Sequence, residues 1–336
     1  MEHKMILHLN KQLFRQAAQF TAQQMGIPDI YVEKDYWVTF ALHTIFHHAI
    51  GTDTVFKGGT ALSKCYHLIE RFSEDIDLAV LRREGESNNR LTTKIRTISE
   101  VVGTALPEVS IERLTHKMGM NRKTAHSYGK EFQGTYGQVR DAIVVEATWL
   151  GHFEPHTTRK VNSFVGDMML RNEQGALAEE NGLMPFEVRA LEPTRTICEK
   201  IMSLVRFSYG EYPLENLKQK IRHTYDLHVL LGQEEFTAFL NSDNFDKMLL
   251  KVGQDDVISF RNNNSWLRHH PLEAFIFSEL ENVWEELKPT FNGSFKNLVY
   301  GTLPADTAIF ATLIKIRERL SNVVWAIELD DRPSVA

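Results

Sequence analysis

Cysteine is scarce in this chain: Cys65 and Cys198 are the only two among 336 residues. Two isolated cysteines exclude a disulfide framework and a clustered zinc site, and read as two buried thiols. Long apolar runs are missing as well. No uncharged stretch approaches the ~18 residues of a membrane span, and the opening MEHKMILHLN lacks the apolar core of a secretory leader. The expected location is therefore the cytoplasm, with no membrane partner. Positive charge is in deficit, 38 Lys and Arg against 44 Asp and Glu, a formal net charge of −6. A nucleic-acid partner would need a local basic patch rather than the field of the whole molecule. The strip Arg122-Lys123, Lys130, Arg140 and Arg159-Lys160 is a candidate for one. Neither GxGxxG nor HExxH occurs, which argues against a Rossmann oxidoreductase and a zinc hydrolase. His269 and His270 are adjacent and diverge rather than chelate.

What is present is the composition of a folded protein, 43% hydrophobic and 24% charged, at a length that suggests two domains. Neither an internal repeat nor a low-complexity tract is visible. Residues 8–48 have helical periodicity, with Glu33-Lys34-Asp35 as a charged face. Thr54-Val55-Phe56 reads as a strand stopped by Gly58-Gly59, and Ala61 to Glu70 as a helix. Asp75 to Leu81 reads as a strand, Asn89 to Val102 as a helix, and 109–166 as strands and turns, with 142–150 the most strand-like. Phe186 to Leu191 is a further strand, and Pro193 suits the first position of a helix. Beyond it the expected helices are 194–207, 214–231, 271–287 and 307–320. The expected fold is α+β: a mixed-sheet domain over 1–191 with an N-terminal helical segment, then a mostly helical domain over 192–336.

The segment from Lys57 to Leu78, KGGTALSKCYHLIERFSEDIDL, carries the chemistry. Gly58-Gly59-Thr60 lies between a strand and a helix. There glycines let the backbone approach a phosphate, Thr60 adds a hydroxyl, and Lys57 and Lys64 add charge. Asp75 and Asp77 are two apart on a strand, so both carboxylates project from one face, opposite Ile76, Leu78 and Val80. Paired carboxylates repel unless a divalent cation sits between them, and magnesium or manganese with substrate phosphates suits such a pair. Ser73, two residues earlier, continues that face. The intervening helix is expected to return the chain to a parallel neighbour, so that turn and aspartates meet at one sheet edge. Glu146, a lone acid in IVVEATW, is the candidate third metal ligand, because an acid within an apolar strand is costly without a partner. In the helical part, Lys200 shares a stripe with Ile197, Ile201 and Leu204 and needs either to snorkel or to meet an anion, such as a triphosphate. Arg222 and Asp226 are i and i+4 in the less favourable order for a helical ion pair.

GGTALSK followed by RFSEDIDL resembles the first motif of the AbiEii/AbiGii nucleotidyltransferase toxins, within the DNA polymerase β-like nucleotidyltransferase superfamily. Its glycine, Thr/Ser and DxD fall on Gly59, Thr60, Asp75 and Asp77. The resemblance extends to EKDYW at 33–37, to Lys200, Arg222 and Asp226, and to the run Phe260–Trp266. In this chain His223, Thr224 and Tyr225 separate Arg222 from Asp226, where the family often places its arginine closer. The resemblance implies a metal-dependent transfer of a nucleoside monophosphate from an NTP. Asp75, Asp77, Glu146, Lys200 and Asp226 would be catalytic; Lys57, Gly58, Gly59, Thr60, Lys64, Ser73 and Arg222 would bind the nucleotide. It also implies a toxin neutralised by a cognate antitoxin in a toxin–antitoxin or phage-defence pair, with the tRNA 3′ end the leading acceptor. A small-molecule or protein nucleotidyltransferase, or a catalytically silent nucleotide-binding module, is the alternative.

Overall fold

The computed structural model describes residues 4–117, 119–134, 139–151 and 153–329. The chain divides into two compact units, one of 1–149 with 155–191 and one of 150–154 with 192–336.

Unit 1 begins with two helices, α1 (Lys11–Met25) and α2 (Asp29–Phe46), rather than one. The break has two local causes. Gly26 caps α1 in the left-handed region at φ 66°, and Pro28 precedes α2 with an extended backbone. After these come β1 (Thr54–Lys57), α3 (Gly58–Lys64), β2 (Ile76–Val80), α4 (Asn88–Gly103), β3 (Glu108–Val109), β4 (Asn121–His126), β5 (Ile143–Thr148), β6 (His156–Val161), α5 (Phe164–Arg171), α6 (Gly175–Glu180) and β7 (Phe186–Leu191). The strands form one seven-stranded mixed sheet in the order β3-β4-β5-β2-β1-β7-β6. β1 pairs with β7 and β2 with β5 in parallel; the remaining pairs are antiparallel.

The expected parallel return from β1 to β2 is not found. Helix α3 ends at Lys64, not near residue 70. The chain from Cys65 to Asp75 then comes back without further helix to the edge it left, so β2 runs antiparallel to β1. A parallel crossover would need an element spanning the full strand length. The antiparallel return sets the C-terminal end of β1 beside the N-terminal end of β2, which is why the glycine turn and the aspartates share one end of the sheet.

One sheet face is apolar. Phe56, Ile76, Leu78, Val145, Ala147, Val188 and Ala190 belong to a single buried cluster with residues of α1, α2 and α4. Strand alternation turns the residues between them to the other face. Helix α2 is buried on nearly all sides, including Glu33, Lys34 and Asp35, each at most 4% exposed. The charged face expected there is absent because each charge is held by a distant segment. Glu33 accepts backbone N–H bonds from Glu131 and Phe132. Lys34 bonds Glu74 and the carbonyls of Arg140 and Ala142. Asp35 pairs with Lys64 and accepts the Phe164 N–H, 2.7 Å, at the start of α5.

Unit 2 is helical: α7 (Pro193–Phe207), α8 (Pro213–Gln219), α9 (Ile221–Leu231), α10 (Glu234–Leu240), α11 (Asp243–Ser259), α12 (Phe275–Ser278), α13 (Leu280–Asn292) and α14 (Asp306–Leu320). Pro193 occupies the first turn of α7. The helix expected over 214–231 is two, interrupted at Lys220, and that over 271–287 is a 3₁₀ turn followed by α12 and α13. Both cysteines are free and buried. Among the described residues, no helix is long and apolar enough to cross a membrane.

Candidate active site

Cross-strand register assembles the site. Lys57 on β1 lies opposite Asp77 on β2, Asp77 opposite Glu146 on β5, and Glu146 opposite Lys123 on β4. Directly opposed residues share a face, so a row of charges Lys57, Asp77, Glu146, Lys123 crosses four strands on the side away from the apolar core. Burial pushes Asp77 up to about 7, and the neighbouring negative charges of Glu146 and Asp75 add to the rise, while Lys57 and Lys123 pull against it. Burial also raises Glu146, but the charge and hydrogen bond of Lys123, the bond from Asn121 and the charge of Lys57 outweigh it, so Glu146 lies below the usual range. Lys123 Nζ is 2.7 Å from Glu146 Oε2, and Asn121 Nδ2 donates to Oε1 at 2.8 Å.

The glycine turn closes over this row. Gly58 has φ 78°, in the left-handed region, and a Cβ there would strike the Asp77 carboxylate. Glycine is therefore required twice, for conformation and for close approach. A Cβ on Gly59 would meet Arg71 Nη2 at 2.7 Å and Ser73 Oγ at 3.0 Å. Thr60 is buried; its hydroxyl donates to the Asp75 carbonyl at 2.6 Å and lies 2.9 Å from Ser73 Oγ. Having spent its one proton on the carbonyl, Thr60 accepts from Ser73. Thr60 and Ser73 thus tie the turn to the start of β2 instead of presenting free hydroxyls to a nucleotide. β2 begins only at Ile76, so Ser73 precedes the strand face on which it was expected.

Lys64 is held elsewhere. It is 4% exposed, paired with Asp35, and donates to the Asn162 carbonyl at 3.1 Å. Its place at the end of the short α3 turns it toward α2 and the start of α5, where its ammonium group is held by Asp35 and the Asn162 carbonyl. Asp75 is held by Arg140, whose Nη1 lies 2.8 and 2.9 Å from the two carboxylate oxygens. Arg140 and Lys123 belonged to the expected basic strip, but they answer acids of the site. Arg122 bonds the Ser99 hydroxyl, Lys130 pairs with Asp141, and Arg159 lies over the Tyr66 ring. The strip is not one surface, since alternation on β4 alone sends Arg122 and Lys123 to opposite faces.

With Asp75 and Glu146 each drawn to a cation, no three acidic, histidine or cysteine side chains among the described residues converge closely enough to hold a metal ion. The donor set nonetheless fits one. Asp77 and Glu146 are adjacent hard oxygen donors whose repulsion a divalent cation would relieve. Beside them the buried Asn121 Oδ1 has no hydrogen-bond partner, an oxygen that metal-bound water would satisfy. The cations Arg140, Lys123 and Lys57 supply positive charge where the cation's would otherwise act.

In unit 2, Lys200 on α7 and Asp226 on α9 meet at 2.7 Å, both buried. The anion that Lys200 required is thus supplied by Asp226. Arg222 is half-buried one turn earlier on α9. His223, between them in sequence, is pushed well below its usual range by burial and by the charges of Lys200 and Lys220.

Sequence reasoning missed Lys34, Glu74, Asn121 and the role of Arg140. Glu74 is 6% exposed, accepts the Arg140 N–H at 2.8 Å and pairs with Lys34. The signal for it was present: three acids within four residues, Glu74, Asp75 and Asp77, exceed what a solvated strand edge needs.

A family model described as nucleotidyl transferase AbiEii toxin, type IV toxin–antitoxin system, matches residues 41–313. The chain belongs to this AbiEii family. It is therefore a nucleotidyltransferase of the toxin type. A comparison with curated proteins gave no match. The matched span includes the glycine turn, both aspartates, Glu146, Lys200 and Asp226; the EKDYW segment at 33–37 lies before it.

Proposed function

We propose that unit 1 carries the catalytic centre for transfer of a nucleoside monophosphate from an NTP to an acceptor hydroxyl, with release of pyrophosphate. The observation that supports this most is the row Lys57, Asp77, Glu146, Lys123 beneath the Gly58 turn. Asp77 and Glu146, joined by Asp75, would hold magnesium or manganese. A divalent cation held there would supply positive charge for the phosphate oxygens and the departing pyrophosphate. Gly58 and Gly59 allow the triphosphate close to the backbone, and Lys57 neutralises part of its charge. The acceptor oxygen forms the new bond to the α-phosphorus as the bond to the β-phosphate oxygen breaks, and the hydroxyl proton passes to a carboxylate oxygen of the acidic row. Arg140 and Lys123 exchange their carboxylate partners for substrate phosphates as the nucleotide arrives. Lys200, Asp226 and Arg222 act in substrate binding, Lys200 with a phosphate as its alternative anion.

The biological reading is a toxin restrained by a cognate antitoxin, with the 3′ end of tRNA as acceptor and defence against phage as one setting. The test is incubation of the purified protein with each α-labelled NTP and with tRNA, total protein and small-molecule fractions, with magnesium or with EDTA. The expected result is labelled tRNA and pyrophosphate with magnesium, abolished in a folded Asp77→Asn variant. Label on protein or a small molecule would change the acceptor and keep the chemistry. A folded Asp77→Asn protein with near-wild-type turnover would remove the metal assignment.

A further inference from the structure

The run Phe260–Trp266, to which the catalytic reading gives no role, lines a cavity of about 410 Å³ that lies wholly within unit 2. Segments distant in sequence build its wall: the end of α7, the turn after it, α8 and the 260–269 stretch. Planar groups dominate it. The Tyr209 and His269 rings are stacked, with centroids 5.4 Å apart and planes 19° from parallel. The Arg206 guanidinium lies 4.0 Å from the Phe260 ring centroid and 4.9 Å from that of Phe207, and the Lys220 ammonium lies 4.5 Å from Phe207. Asn216 and Asn263 add side-chain amides. Trp266 is buried at the back, its indole N–H donating to the Asn263 carbonyl at 3.1 Å.

These rings are not core. Tyr209 is 36% exposed, and Phe207 and Phe260 are half-buried. An apolar ligand would need no cations at the rim, and a simple anion would need no stacking surface. Aromatic faces, a guanidinium plane, amides and a cationic rim together match a flat heterocycle with hydrogen-bonding edges and an attached phosphate. The volume is that of a ligand site. Exposed Arg261 and Arg268 flank the segment and extend the positive charge along it, in a chain whose net charge is −6.

We infer that this cavity is a nucleobase-binding site, in which the base stacks on the Tyr209–His269 surface, its edge meets the amides of Asn216 and Asn263, and its phosphate meets Arg206. The same chemistry is offered by a free nucleotide and by an unpaired base in a single strand. The site stands on unit 2 alone and does not depend on what unit 1 catalyses.

The test is binding by the full chain, by calorimetry and anisotropy, of AMP, UMP, a labelled single-stranded octaribonucleotide and the same ribose-phosphate strand without bases. The expected result is a clear preference for a base-bearing probe over the abasic strand. Tyr209→Ala should weaken it by about 10-fold, the scale of losing one stacked base; Tyr209→Phe should retain it, and Asn263→Ala should lose part of it. Comparable affinity for mononucleotides would identify a free nucleotide as the occupant, and affinity for the octamer alone an unpaired base. Equal binding of base-bearing and abasic strands, no binding of any probe, or wild-type affinities in a folded Tyr209→Ala protein would overturn the inference. Because Tyr209 is exposed, its replacement leaves the core of unit 2 unaltered.

Discussion

The two units bury charge in different ways. In unit 1, Lys34 holds a carboxylate and two backbone carbonyls, and its partner Glu74 also accepts a backbone N–H. Between them they fasten the chain entering β2, with Asp75 and Asp77, to the chain entering β5, with Glu146. In unit 2, Lys200 and Asp226 join one helix to another by their side chains. Arg195 on α7 likewise reaches Asp255 on α11. Helix interiors satisfy their own backbone, although Arg195 also donates to the Glu154 carbonyl at 3.4 Å in the irregular segment 150–154. Irregular segments before strands carry polar backbone groups that something must satisfy. The lesson is that the Lys34–Glu74 pair serves strand register, whereas Lys200–Asp226 and Arg195–Asp255 tie helix to helix.

Removing one partner of the unit 1 clamp is the largest expected effect. Lys34→Met leaves Glu74 buried and carbonyls without a donor, and should cost about 3–5 kcal/mol in denaturant unfolding. The double variant Lys34→Met/Glu74→Leu should recover little of this, because the backbone groups stay unsatisfied. Recovery to near wild type would make the clamp an ordinary ion pair and erase the difference between the units.

Next comes the corresponding experiment in unit 2. Lys200→Met alone should cost a comparable ~3 kcal/mol, while Lys200→Met/Asp226→Leu should recover more of it than the Lys34/Glu74 double variant does, since an apolar replacement of a buried pair is often neutral. A double variant as unstable as the single would remove the contrast with unit 1.

The acidic row should behave in the opposite sense. Asp77→Asn removes a repelled charge, so the metal-free variant should gain on the order of 1 kcal/mol. Magnesium should raise the melting temperature of the wild type and leave the variant nearly unmoved. Destabilisation of the metal-free variant would mean that Asp77 is structural.

The smallest effect concerns pH. His126 on β4 is buried, and burial lowers its pKa. Its Nδ1 faces the Leu106 carbonyl at 3.0 Å and therefore carries the proton, leaving Nε2 to accept from Thr124 at 2.9 Å. A depressed folded pKa contributes stability above the unfolded value of ~6.5 that is lost as pH falls. Unfolding between pH 7 and 5 should therefore show a shallower dependence on pH in His126→Asn than in the wild type. Identical slopes would place the acid sensitivity elsewhere, with buried His223 in unit 2 the next residue to change.

Local patterns carried much of this molecule. The glycine pair, the alternation of Asp77 against Ile76, Leu78 and Val80, the strand at 186–191 and the proline opening α7 are all legible in sequence, because each rests on neighbours within a few residues, whereas Asp75 falls just before β2. The partner of Lys64 was not legible for the same reason. Next to a glycine turn Lys64 looks like a phosphate ligand, and its partner Asp35 is too far away in the chain to be seen. Glu33-Lys34-Asp35 looked solvated because buried charges cannot be told from exposed ones until their partners are known.

What the tertiary structure alone decided is pairing. The antiparallel return of β2, the placing of Glu146 opposite Asp77 and Lys123 opposite Glu146, the hold of Arg140 on Asp75, and the gathering of Tyr209, Phe260 and His269 around one cavity all join residues that no local preference connects. A one-residue slip of β5 would turn Glu146 to the apolar face and a neighbouring valine to the charged one. The composition of the strand permits either, and only burial of the whole apolar face against α1, α2 and α4 selects the register that makes the acidic row.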